Sequence, residues 1–137
     1  SVPFIPHIMQ LQRLHNYGAA WSSLSGKTVL LVAMTSVLLI AVAVVLFRKI
    51  VRHPLGVIAG VLILGGGIGN MIDRIMLGYV VDMFDLLLFD YPIFNLADCF
   101  VVVGTILGSI YYLWLYEKYD APKKESADGT EDPAGDN

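Results

Sequence analysis

The chain is 137 residues long, 56% hydrophobic and only 15% charged, with a formal net charge of −3. Its mean hydropathy of +0.67 excludes an ordinary soluble domain, and its length fits a single domain. Nine scattered Lys and Arg exclude a nucleic-acid-binding surface. The single cysteine, Cys99, excludes an internal disulfide framework or a cysteine-rich metal centre, and His7, His15 and His53 lack ligand spacing.

Residues 1–27 are too polar to cross a bilayer and are expected to form an extracytoplasmic interfacial segment. Pro3 and Pro6 discourage a helix at the start. Met9 to Leu14 alternates roughly and predicts a short strand. Asn16-Tyr17-Gly18 is a turn signal, and Tyr17 and Trp21 suit a membrane interface.

Thr28 to Phe47 carries no charge, and its length matches a hydrocarbon core about 30 Å thick. Ser36 and Thr35 can bond back to the preceding turn. The cations Arg48, Lys49 and Arg52 mark the loop that follows. Leu55 to Ile72 predicts a second span, in which the pairs Gly56/Gly60 and Gly65/Gly69 offer small faces to neighbouring helices. Near its end Gly66, Asn70 and Asp73 share one face.

Residues 73–95 form an outer segment. Gly78 breaks the helix, and Tyr79-Val80-Val81 is β-prone, so Asp82 falls on or just after an extended piece. Met83 to Phe94 mixes aromatic and aliphatic residues with Asp85 and Asp90, as a segment lying on the membrane would. Asn95 is an N-cap signal with Asp98 three residues on, and a third span is expected over 96–116. Residues 117–137 read as a disordered tail. The fold class expected is therefore an all-α polytopic membrane protein of three spans, with a small β and amphipathic cap.

The Arg48–Arg52 loop and the tail hold six of the nine Lys and Arg, and both lie on one side of a three-span chain. That side is expected to be cytoplasmic and the aspartates extracytoplasmic. Five aspartates (73, 82, 85, 90 and 98) crowd the outer segment and its flanks. Ionisable groups at a bilayer edge are costly and point to a working site. Taken singly, Asp98 could be a capping acid favoured by the helix dipole, and Asp82 an exposed loop acid. Taken together they suit a dyad: one ionised to accept a proton from water, the other protonated to polarise a scissile carbonyl. The helix start under Asp98 makes Asp82 the expected proton holder.

The blocks Asn16-Tyr17-Gly18-Ala19-Ala20-Trp21, Gly69-Asn70-Met71-Ile72-Asp73-Arg74, Val80-Val81-Asp82-Met83-Phe84 and Phe94-Asn95-Leu96-Ala97-Asp98 resemble, in order and spacing, those of signal peptidase II. That family is the bacterial lipoprotein signal peptidase, an aspartic protease of the cytoplasmic membrane. The resemblance covers nearly the whole chain apart from the tail. It implies that Asp82 and Asp98 are catalytic, with no metal or organic cofactor. It implies as substrate and partner a prolipoprotein signal peptide, cut before a diacylglyceryl-modified cysteine, in contact with membrane lipid. Asn16, Asn70, Asp73, Arg74 and Asn95 become polar supports, Arg74 able to pair with Asp73. Gly18 and Ala19 become the backbone approach to an extended substrate, and 83–94 a lid.

Two departures accompany the resemblance. Cys99 stands where the family usually has Ser, with little effect expected. The family has four spans, so the sequence, which starts just before Pro3, is expected to be a shortened form. The alternatives are an inactive peptidase of this kind, or a non-enzymatic transporter fragment or assembly factor. Aspartates along a path through the bundle would favour a transporter, whereas these lie at one edge.

Overall fold

Three helices carry the apolar length of the chain. In a computed structural model, which describes residues 1–19, 24 and 26–124, they are α1 (Thr28–Phe47), α2 (Pro54–Leu77) and α3 (Leu96–Trp114). Each is long and apolar enough to cross a membrane, so the chain is a multi-pass membrane protein. The helix α2 is central, packing on α1 along one flank and most extensively on α3 along the other.

Helix ends follow from local chemistry. Pro54 opens α2 behind His53, whose Nδ1 accepts from the Leu55 amide at 3.1 Å. The other end runs to Leu77, a full turn beyond the expected Ile72, because the chain breaks only where Gly78 takes a left-handed φ of 80°. Asp73 and Arg74 are therefore the last turn of this helix. At α3 the expected cap forms in full: Asn95 accepts from the Asp98 amide, and Asp98 accepts from the Asn95 amide.

Glycines set the helix spacing, and the expected Gly56/Gly60 face is one of the close contacts: Gly56 lies against Val51 and Tyr111. A side chain at Gly104 would come within 2.9 Å of the Ala59 carbonyl and Ile63, and one at Gly66 would strike the Ala97 carbonyl and Val101. Gly67 faces Leu39 and Gly60 faces Leu46, both on α1. Of the expected Gly65/Gly69 face, Gly65 meets only open space, and Gly69 makes ordinary contact with the Ala97 Cβ at 3.5 Å.

Beyond the helices lies an antiparallel sheet in the order β1 (Val2–Ile5), β2 (Met9–Asn16) and β3 (Val80–Leu86). The predicted strand at Met9 continues to Asn16, and β1 was not anticipated. The expected membrane-lying segment is corrected in its first part: Met83 to Leu86 belongs to β3, because Leu86, Asp85 and Phe84 pair with Met9, Gln10 and Leu11. The Phe94 amide and carbonyl then bond back to Phe84, and the Phe84 ring packs against Phe4 and Phe94.

At the opposite end of the helices a short α4 (Tyr116–Tyr119) occupies the start of the expected loose tail. Asp120 is buried. It accepts from the Tyr111 hydroxyl and from the Arg52 and His53 amides, with Arg52 Nε at 3.6 Å. The expected roles of Ala20, Trp21 and residues 125–137 lie outside the described residues.

The glycine contacts make a paired prediction. Gly66→Ala forces a methyl group onto a backbone carbonyl that cannot swing away, and is expected to cost about 1–3 kcal/mol. Gly65→Ala fills open space and is expected to be neutral or to gain up to about 1 kcal/mol. Thermal unfolding of both variants in detergent checks the contrast, and equal effects would contradict it.

Candidate active site

Side chains alternate along a strand, so Val80 and Asp82 point to the same face of β3. Both are turned inward, and Asp82 is only 1% exposed. A buried carboxyl needs hydrogen bonds, and Asp82 has them on both oxygens. Asn16 Nδ2 donates to Oδ2 at 3.0 Å, and Asn95 Nδ2 donates to Oδ1 at 3.0 Å. Asn16 reaches it because the end of β2 pairs with Val80.

Asp98 divides its two oxygens between two tasks. Oδ2 accepts from the Asn95 backbone amide at 3.0 Å, closing the helix cap. Oδ1 accepts from Asn70 Nδ2 on α2 at 2.8 Å. The capping role and a place in the site are therefore compatible. Asn95 Nδ2 also donates to Asn70 Oδ1 at 2.8 Å, so Asp82, Asn95, Asn70 and Asp98 form one continuous network.

The other supports fall around it. Asp73 Oδ2 accepts from the Val81 amide at 3.3 Å, tying the end of α2 to the strand beside Asp82. Arg74 Nη2 donates to the Gly18 carbonyl at 2.9 Å, and Gly18 N donates to Asn16 Oδ1 at 2.9 Å. The expected Asp73–Arg74 ion pair is absent, since Arg52–Asp120 is the only salt bridge among the described residues. The Arg74 Nε is buried without a hydrogen-bond partner. Asp85 takes a bond from Gln10 at 2.6 Å across the strands, and neither it nor Asp90 lines the cavity described next.

Asp82 and Asp98 border one cavity of about 240 Å³, together with Asn16, Ala19, Asn70 and Arg74. Its apolar wall is Val80, Tyr91 to Phe94, Val101 and Val102. Val101 and Val102 were not anticipated, because valines inside an apolar span carry no signal of their own.

Burial pushes the Asp82 carboxyl above its ordinary range. The Asn16 bond opposes this, the charge of Asp98 adds to it, and Asn95 and Arg74 oppose it more weakly. The site thus offers a buried carboxyl biased toward holding its proton, linked through neutral amides to a second carboxyl at a helix N-terminus. That arrangement, on three spanning helices, is suited to proton-transfer chemistry at a membrane edge.

Comparison with known proteins agrees. The model of the signal peptidase (SPase) II family matches residues 1–114. The lipoprotein signal peptidase of Clostridium acetobutylicum is 39% identical over 123 residues, covering 88% of this chain and 80% of that one. The Enterococcus faecalis lipoprotein signal peptidase is 42% identical over 130 residues, covering 93% and 76%. Two solved structures, both described as bacterial membrane enzymes determined by the in meso method, superpose on the fold. One has a TM-score of 0.76 at 34% identity and covers 90% of this chain and 76% of its own. The other has a TM-score of 0.74 at 36% identity, covering 82% and 74%. The chain belongs to the signal peptidase II family, and is a membrane peptidase.

Removing the Asn16 donor should raise the Asp82 value further, because that bond favours the charged form. In Asn16→Ala the Asp82 carboxyl is expected to titrate at higher pH than in the parent, read by carboxyl NMR of aspartate-labelled protein. Linkage gives the sign for stability. The folded state holds this proton more tightly than the unfolded chain, so stability falls as pH rises from the ordinary carboxyl range through the raised value. The fall is expected to be larger in Asn16→Ala, and a downward shift would overturn the assignment.

Proposed function

We propose that this peptidase removes signal peptides from prolipoproteins, cutting before a diacylglyceryl-modified cysteine, with Asp82 and Asp98 as its catalytic dyad. The observation that carries the reading is that Asp82 and Asp98 border a single cavity and are joined by a continuous network through Asn95 and Asn70. The names of the relatives supply the substrate class.

The chemistry follows from the two environments. Asp98, held by two N–H donors at a helix start, accepts a proton from a water in the cavity. Asp82, biased toward its neutral form, donates a hydrogen bond to the scissile carbonyl as the water oxygen adds to its carbon. The tetrahedral intermediate collapses as the proton taken by Asp98 passes to the leaving nitrogen, and the C–N bond breaks. A dyad of this kind titrates as a unit. The apolar wall of valines and Tyr91 to Phe94 suits an extended apolar segment beside the carboxyls.

By the cation distribution, the dyad lies on the extracytoplasmic side of the bacterial cytoplasmic membrane. Asn16, Asn70 and Asn95 position the carboxyls, Asp73 holds the strand that carries Asp82, and Arg74 holds Gly18, the neighbour of the cavity-lining Ala19.

Asp82→Asn and Asp98→Asn keep side-chain size while removing the acid. Each is expected to lower the rate of cleavage of a diacylglyceryl-cysteine signal peptide by roughly 10²–10⁴-fold, with unfolding temperature retained. Folded variants that cleave at the parental rate would overturn the dyad. Equal cleavage of the peptide without its diacylglyceryl group would overturn the substrate assignment.

A further inference from the structure

At the end of the bundle opposite the aspartates lies a larger open cavity of about 710 Å³, between the turn joining α1 to α2 and the segment that begins with α4. Arg48, Lys49 and Arg52 line one wall, and Lys118, Lys123 and Lys124 line the other. The acids facing it are Glu117 and Asp120. Asp120 is already committed to Tyr111, the Arg52 and His53 amides and the Arg52 side chain. Among the residues lining it the cations therefore exceed the acids six to two, and five of the six have no carboxylate partner among the described residues.

The cavity is held in shape rather than left to a loose tail. Asp120 ties the chain after α4 to the α1–α2 turn, and Arg52 Nη1 donates to the Lys49 carbonyl at 2.8 Å. Lys49 is fixed at a left-handed φ of 55° in that turn. His53 caps α2 and packs its ring on Tyr119. The two walls thus converge because the fold brings them together, although they stand some seventy residues apart in sequence.

Its level in the membrane says what would enter. Phe47, Tyr112 and Trp114 lie at the same ends of α1 and α3 and are exposed, as residues of an interfacial belt are. A headgroup in the cavity would leave its acyl chains beside the bare apolar faces of those helices. A soluble anion would use only the cations.

We propose that this cavity binds the phosphodiester headgroup of an anionic phospholipid at the membrane surface opposite the active site. Basic pockets at the ends of spanning helices recognise such headgroups through charge. The site is separate from the dyad and does not depend on its chemistry.

The experiment uses purified protein in neutral detergent, with binding of short-chain phosphatidylglycerol measured by native mass spectrometry. Phosphatidylcholine and inorganic phosphate serve as the other arms. Saturable binding of phosphatidylglycerol in preference to phosphatidylcholine is expected. Arg48→Gln with Lys118→Gln, one cation from each wall, is expected to weaken it roughly 30-fold. Lys123→Gln with Lys124→Gln gives a second pair should the first fold poorly. Arg13→Gln with Lys27→Gln removes the same charge at the other end of the molecule and is expected to leave binding unchanged. Equal weakening by that control pair would overturn the site in favour of general attraction. Equal binding of phosphatidylcholine would also overturn it. Inorganic phosphate displacing the lipid at equal concentration would reassign the cavity to soluble anions.

Discussion

Burying a carboxyl among neutral groups is the constraint on which the upper half of this molecule depends. Asp82 is withdrawn from water almost completely, and a carboxylate so placed is tolerated only if its oxygens are bonded or its proton is retained. Both solutions are in use. Two asparagines donate to it, and burial favours the protonated form. A direct bidentate arginine would have fixed the charge permanently. Arg74 instead spends its hydrogen bond on the Gly18 carbonyl. The neutral donors hold the carboxyl in place without deciding its protonation state.

That arrangement requires four elements to meet within hydrogen-bond distance, and the helix packing makes this possible. Gly66 sits one turn below Asn70 on α2, against Ala97 and Val101 of α3. With no side chain there, α3 closes on α2 at the level where Asn70 meets Asp98. Farther down, Gly104 performs the same task against Ala59 and Ile63. Small residues thus matter here less for association as such than for the reach of an asparagine amide. Asn95 completes the design: it caps α3, bonds Asp82 and touches Asn70, so the helix start and the site are one structure.

The spans were legible because apolar runs of bilayer length have few other uses, and the α3 cap because its spacing is a local signal. Asp82 and Asp98 were singled out from their setting and from the family resemblance. The Asn16 bond to Asp82 was not readable, since it depends on β2 and β3 pairing across some seventy residues. The same holds for β1, whose exposed residues have no strong alternation. Gly66 was placed on the face of Asn70 and Asp73, but its contact with α3 was not readable and the packing was assigned to Gly65 and Gly69 as well, because an i, i+4 spacing identifies a face without saying which face a neighbour occupies. Asp120 was hidden by composition. It sits at the start of a polar, charged tail, and only the Tyr111 hydroxyl and the α1–α2 turn make it a buried anchor.

The two buried aspartates show how environment assigns different work to one side chain. For Asp120 burial alone would favour the neutral form, as it does for Asp82. The Tyr111 hydroxyl, two backbone amides and the Arg52 cation outweigh that and hold its carboxyl below the ordinary range. Asp82 has two neutral amide donors, a like charge nearby in Asp98, and Arg74 only at longer reach, and it moves the other way. The difference is therefore in the number and charge of donors rather than in depth. A carboxyl surrounded as Asp120 is remains an ion through ordinary pH changes and serves as a fastening between chain segments. A carboxyl surrounded as Asp82 is stays close to gaining or losing a proton, which is what a group must do to take part in hydrolysis. The fold separates these tasks by placing the Arg52 cation and two backbone amides beside Asp120 at one end of the bundle and the asparagines beside Asp82 at the other.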